Sequence, residues 1–164
     1  MQVLADICDA FTSASVRYWV IGGYGVEPIV GQPLRPHDDI DFFISLPHIT
    51  RAVQVLRSMG FSEHAGSVEE GDVFFRRDDV IVDLVPIDDP CSPPLTTGDL
   101  EMVAWHEKLF VPQEVPYKEV PCVTLTAEMH LEMKRTVAEF FGVTPREKDL
   151  LDIEVLERLR DGLG

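Results

Sequence analysis

The chain has 164 residues, 45% of them hydrophobic, enough for one globular core and too few for two large independent domains. Asp and Glu total 29 against 14 Lys and Arg, a formal net charge of −15, which disfavours prolonged contact with a nucleic-acid backbone and attracts cations. No apolar run reaches the roughly 20 residues of a membrane-spanning helix, and the first residues lack the basic-then-apolar order of a secretory signal, so a soluble, cytoplasmic protein with no membrane partner is expected.

In chain order, Val3, Leu4, Ile7, Ala10 and Phe11 recur at helical spacing and predict an amphipathic helix over 2–14. Residues 18–21 read as a short buried strand that runs into Gly22-Gly23. A short helix over 24–30 follows, awkward at Pro28 and closed by Gly31. After a polar loop, 39–44 has strand composition, and Pro47 opens a helix over 48–59 that ends at Gly60. Two strands are expected at 73–76 and 80–85, with a hairpin turn at 77–79. Residues 88–100 read as a loop. The span 102–123 holds short strands, one of which Pro121 confines to an edge. Thr126 is the expected N-cap of a helix to 141, and Thr144, Pro145 and Glu147 supply the N-cap, first-turn proline and capping box of a last helix to 160. The order is that of an α+β fold, with a domain over 1–125 and a helical extension over 126–164 packed on it. Cys8, Cys91 and Cys122 have no metal-site spacing and read as reduced structural thiols.

The chemistry concentrates where acids interrupt apolar strands. In a strand, residues two apart share a face, so Asp39 and Asp41 project together while Ile40 and Phe42 turn the other way. Two carboxylates this close repel unless a cation lies between them, and hard oxygen donors suit Mg²⁺ or Mn²⁺. Asp83 stands alone in the apolar run Ile81-Val82-Asp83-Leu84-Val85, where burying it unpaired would cost several kcal/mol. If its strand lies beside that of Asp39 and Asp41, the three carboxylates can hold two metal ions and accept the proton of an attacking hydroxyl. The alternative is an acid at a strand end that reaches solvent. Gly22-Gly23, before a helix, lets backbone approach a phosphate, although a tight turn needs the same residues.

The stretch WVIGGYGVEPIVGQPLRPHDDIDFFI, Trp19 to Ile44, resembles the small antibiotic nucleotidyltransferases, the aminoglycoside 2″-adenylyltransferase and lincosamide nucleotidyltransferase group of the DNA polymerase beta-like superfamily. Lys134, then Arg146-Glu147-Lys148-Asp149 and Asp152-Ile153, is similar to a pattern near the end of the same group, while 87–125 carry no matching motif. The resemblance implies the nucleotidyltransferase fold, a mixed twisted sheet flanked by helices with a C-terminal helical pair. It implies Asp39 and Asp41 as metal ligands, Asp83 as general base or third ligand, and Gly22 and Gly23 as holders of the nucleotide phosphates. Arg35 and His37 lie next to that site, either touching the triphosphate or fixing their loop. Lys134 either neutralises phosphate across the cleft or pairs with nearby acids, and Asp149 and Asp152 read as structural or surface residues.

The expected reaction is attack of an acceptor hydroxyl on the α-phosphate of ATP or another nucleoside triphosphate, with two Mg²⁺ ions and release of pyrophosphate. The acidic balance points to a cationic small-molecule acceptor such as an aminoglycoside, with Glu69, Glu70, Asp72, Asp88 and Asp89 near the mouth of the site. A lincosamide or an unrelated metabolite is the alternative. Modification of a protein or RNA, as in toxin and antitoxin systems, and a non-catalytic interaction module rank below these. The apolar residues Leu150, Leu151, Ile153, Leu156 and Leu159 of the last helix pack either on their own domain or on a second copy, which would make a homodimer.

Overall fold

The structure, a computed structural model, describes residues 2–117 and 120–162. The first helix, α1 (Gln2–Ser13), buries Leu4, Ile7, Cys8 and Phe11 along one side. β1 (Tyr18–Ile21) runs straight into α2 (Gly22–Val30), so this helix begins at the first glycine, two residues earlier than the pattern suggests. Pro28 sits in its last turn, and Gly31 ends it in the left-handed conformation with φ 79°. β2 (Asp39–Ser45) leads through a 3-10 turn (Leu46–His48) into α3 (Ile49–Ser58). There follow β3 (Ser62–Ser67), β4 (Asp72–Arg77), β5 (Val80–Asp88), β6 (Leu95–Thr96), β7 (Gln113–Tyr117) and β8 (Val120–Thr124). Two helices close the described chain: α4 (Ala127–Phe141), capped by the Thr126 hydroxyl accepting from the Met129 N–H, and α5 (Glu147–Arg160).

The strands form one mixed sheet in the order β3-β4-β5-β2-β1-β8-β7, with β6 paired to β5. β2 is antiparallel to β1 and parallel to β5, the crossover between them running through α3 and the β3-β4 hairpin. Alternation along the strands divides the core. One face carries Val20, Phe42, Ile44, Val82 and Leu84 against α1 and α3. The other carries Trp19, Ile21, Phe43 and Ile87 against Trp105, Phe110, Met129 and Met133. A third cluster, Val26, Leu131 and Leu156, locks α2, α4 and α5 together. The three free cysteines are placed apart in kind, Cys8 and Cys122 buried and Cys91 exposed.

Four expectations change. β3, Ser-Glu-His-Ala-Gly-Ser, is an exposed edge strand whose residues show no apolar alternation. The loop expected over 88–100 contains β6 and a 3-10 turn (Gly98–Leu100). Pro121 lies in β8 between β1 and β7; it is tolerated because β8 meets β1 at Thr124, whereas Pro121 faces Pro116 of β7. The last helix starts at Glu147 with Arg146 as its cap residue and no side-chain cap, so Thr144 and Pro145 lie in the extended approach to it. Its apolar residues divide: Leu156 is fully buried, whereas Leu150 and Leu151 are about half exposed. Within the span read as 102–123, residues 118 and 119 lie outside the described residues.

Candidate active site

The parallel pairing of β2 with β5 sets Asp41 directly beside Asp83, with Asp39 one pleat away on the same face. On these strands the alternate residues Ile40, Phe42, Val82 and Leu84 are buried in the opposite core, which fixes the register and turns the three carboxylates into a common cavity. Burial, with the Asp39 charge adding to it, pushes the Asp41 carboxyl up to about 7. Burial and then the charges of Asp72, Asp41 and Asp39 push Asp83 up to about 8. Asp83 Oδ1 is buried without a hydrogen-bond partner. Like charges in a desolvated place call for a cation. Among the described residues no three His, Cys, Asp or Glu side chains form a ready-made metal cage. One or two carboxylates facing a cavity nevertheless fit Mg²⁺, which keeps several waters and fills its remaining positions with substrate phosphates.

The glycine pair is shaped by this arrangement. Gly22 has φ 63°, and a Cβ there would meet Asp41 Oδ2 at 1.9 Å, so both its conformation and its missing side chain are needed. A Cβ on Gly23 would meet the His37 ring at 2.2 Å and Arg35 Nη2 at 2.9 Å. The first turn of α2 has no side-chain cap, which leaves its N–H groups open toward the carboxylates. Thr124 steadies this turn from below, its hydroxyl 2.7 Å from the Val20 carbonyl oxygen, 3.0 Å from that of Gly25 and 2.9 Å from His130 Nε2.

The cavity has a volume of about 520 Å³ and is polarised. Arg35, Lys134, Arg146 and Lys148 line it, and the charges of the last three act on Asp41. Phe74, the cross-strand partner of Asp83, and Val85 on its own strand line the cavity beside it, with Leu100, Trp105 and Val137 as further apolar lining and the Asp72 carboxylate acting on Asp83. Burial and then the Asp99 charge raise Asp72, and among the described residues no basic side chain pairs with it.

Arg35 and His37 line the cavity and are tied to each other and to Glu27. Arg35 Nη1 donates to His37 Nδ1 at 2.8 Å, which places the ring proton on Nε2, 2.7 Å from Glu27 Oε1. Lys134 both lines the cavity and pairs with acids, at 3.0 Å from Asp149 and 2.9 Å from Asp152.

These features match a known family along nearly the whole chain: residues 3–156 fit the model of the aminoglycoside-2″-adenylyltransferases. The chain belongs to the aminoglycoside-2″-adenylyltransferase family. It is, with that family, a nucleotidyltransferase. A lincosamide resistance protein from Staphylococcus haemolyticus is 36% identical over 55 residues, and the match covers 34% of each chain, about a third of that relative's length. The solved structure of the lincosamide antibiotic adenylyltransferase LnuA with lincomycin bound superposes with a TM-score of 0.72 at 22% identity, covering 96% of both chains. That of ANT(2″)-Ia with adenylyl-2″-tobramycin gives 0.73 at 15% identity, covering 99% of this chain and 95% of that one. At these identities the two structures establish the nucleotidyltransferase fold.

All the residues singled out from the sequence, Asp39, Asp41, Asp83, Gly22, Gly23, Arg35, His37 and Lys134, line this one cavity. The acidic mouth is different from expectation. Of its five acids, Asp72 alone is a lining residue; Asp89 is turned to Arg17 at 2.9 Å, and Asp88 accepts from the Cys91 thiol. The sequence reading missed Glu27 as the partner of His37, Asp152 as a buried counter-charge and Trp105 as a wall. The Asp152 position was visible in the terminal motif, but its burial depends on α5 packing against α2, which no local pattern encodes.

Proposed function

We propose that the chain transfers a nucleoside monophosphate, AMP from ATP, to a hydroxyl group of a small antibiotic-like acceptor in a Mg²⁺-dependent reaction. The observation that carries this reading is the register of Asp41 with Asp83, beside Asp39 and Gly22, in a cavity that four basic side chains and a set of apolar ones line as well. Asp39, Asp41 and Asp83 are the groups that would hold two Mg²⁺ ions. Such ions would supply Lewis acidity, toward the acceptor hydroxyl and the leaving pyrophosphate.

The chain's own groups do the rest. The open first turn of α2 and the basic flank bind and orient the triphosphate. Asp83 Oδ1, buried and unpartnered, takes the acceptor's proton, and its elevated pKa suits a general base. The acceptor oxygen forms a bond to the α-phosphorus, the bond to the bridging oxygen breaks, and pyrophosphate leaves. Phe74, Val85, Leu100 and Trp105 exclude water from that side.

The lining bears on the acceptor. One unpaired carboxylate, Asp72, among apolar and aromatic side chains suits a singly cationic molecule with an apolar flank better than a polycation. Lincomycin in LnuA is such a case by name, and the partial match to a lincosamide resistance protein agrees with it. An aminoglycoside, the acceptor class of the family's name, is the second reading, supported by the family match itself. The test is pyrophosphate release from ATP, GTP, CTP and UTP with Mg²⁺ across lincosamides, aminoglycosides and neutral sugars. Release dependent on one acceptor class and lost in Asp83→Asn is expected. Nucleotide binding with no release on any acceptor would move the assignment to a macromolecular acceptor.

A further inference from the structure

Asp152 has no exposed side-chain surface, yet it lies on α5, a helix the sequence marks as peripheral. Its Oδ2 accepts a hydrogen bond from Arg35 Nη2 at 3.1 Å and is ion-paired with Lys134 Nζ at 2.9 Å, while Oδ1 is buried without a hydrogen-bond partner. The pairs extend into a chain across the cavity wall: Glu27 to His37 to Arg35 to Asp152 to Lys134 to Asp149 to Arg146. Five of these residues, Arg35, His37, Lys134, Asp149 and Arg146, line the cavity, whereas Asp152 itself does not. Burying a carboxylate is costly, and an apolar residue would serve packing at least as well, so stability alone does not account for this acid.

What Asp152 does provide is placement. Arg and Lys side chains each lose about 2 kcal/mol of rotamer entropy when immobilised, and a ligand that must order them binds more weakly. Here both are ordered before any ligand arrives, with Arg35 and Lys134 only 15% and 7% exposed. Each still has donors to spare: Lys134 donates to Asp149 and is ion-paired with Asp152, and an ammonium carries three N–H groups. Arg35 lies against Gly23, at the open turn of α2, and the Lys134 charge reaches Asp41.

We propose that Asp152 is a positioning residue that holds Arg35 and Lys134 in place for the triphosphate, making α5 part of the nucleotide site. The proposal rests on the reading that a nucleoside triphosphate occupies this flank. The experiment is calorimetry of Mg²⁺·ATP, with adenosine by displacement, on wild type, Asp152→Asn and Asp152→Glu, with GTP and guanosine in parallel and melting curves to establish folding.

Asp152→Asn is expected to weaken triphosphate binding by at least about tenfold, the loss of one charge-assisted contact, and to leave nucleoside binding within about twofold. In turnover, KM for the triphosphate rises while KM for the acceptor holds. A folded variant that binds triphosphate like wild type overturns the proposal, and so does equal weakening of triphosphate and nucleoside, the mark of a merely structural acid. If Asp152→Asn does not fold, Asp152→Glu, which keeps the charge and displaces it by one methylene, decides by the same comparison; failure of both to fold also makes the residue structural. Wild type that binds neither triphosphate instead removes the reading of the site itself.

Discussion

At the scale of single residues, the site is written in acids placed where acids are expensive. Asp41 and Asp83 are held at about 7 and about 8, above the ordinary carboxylate range near about 4. A carboxyl whose pKa is higher folded than unfolded stabilises the fold while it is protonated, so its contribution is full below about 4 and is lost as pH rises through about 7 to 8. One pKa unit is worth about 1.4 kcal/mol, which makes the change for two coupled acids on the order of a few kcal/mol. Thermal melting in EDTA is therefore expected to fall between pH 5 and 8.5, with Mg²⁺ restoring stability at the alkaline end. Asp83→Asn should melt higher at pH 8.5 and show a flatter profile; an unchanged profile would contradict the burial of an unpaired acid. These positions were legible in the sequence because each breaks an apolar strand. Asp152 was not, because an acid on a helix looks solvated until the partner face is known.

At the scale of elements, the decisive junction is the one from β1 into α2, where a strand becomes a helix with no intervening loop. Gly22 and Gly142 both have positive φ, 63° and 61°, but an added Cβ meets Asp41 at Gly22 and nothing within 4 Å at Gly142. Gly142→Ala is expected to cost about 1 kcal/mol of backbone strain and leave the reaction intact. Gly22→Ala adds displacement of the Asp41 carboxylate, a metal ligand in the proposed reading, and a misplacement of about 1 Å can cost about a hundredfold in rate. Urea unfolding and initial rates on the two variants separate strain from displacement; equal effects would mean the contact with Asp41 is unimportant. Apolar strands flanked by glycine were readable from the sequence, and so was α4 with its Thr126 cap. The polar edge strand β3 had no pattern to read. The N-terminus of α5 followed tertiary needs instead of its capping box, since Thr144, Pro145 and Arg146 line the cavity.

For the whole molecule, the proposed reading brings nucleotide chemistry and acceptor recognition to one face of the sheet, and the two halves differ in how far a sequence reveals them. The nucleotide half sits on contiguous segments, Trp19 to Ile44 and the strand around Asp83, so its residues stand close together in the chain. The acceptor half draws Phe74, Val85, Leu100, Trp105 and Val137 from five separate places, and only the folded sheet shows them as one wall. Net charge was a poor guide to that wall, because of the five acids expected at its mouth Asp72 alone lines the cavity. No helix among the described residues is long and apolar enough to cross a membrane. The central claim is that Asp39, Asp41 and Asp83 act together to move a nucleotidyl group. It is tested most directly by incubating the chain with ATP labelled at the α-phosphorus, Mg²⁺ and lincomycin or tobramycin, and following label into the acceptor. Label is expected to transfer with wild type and to fall by at least about a thousandfold in Asp41→Asn and Asp83→Asn; undiminished transfer in either folded variant would contradict the account.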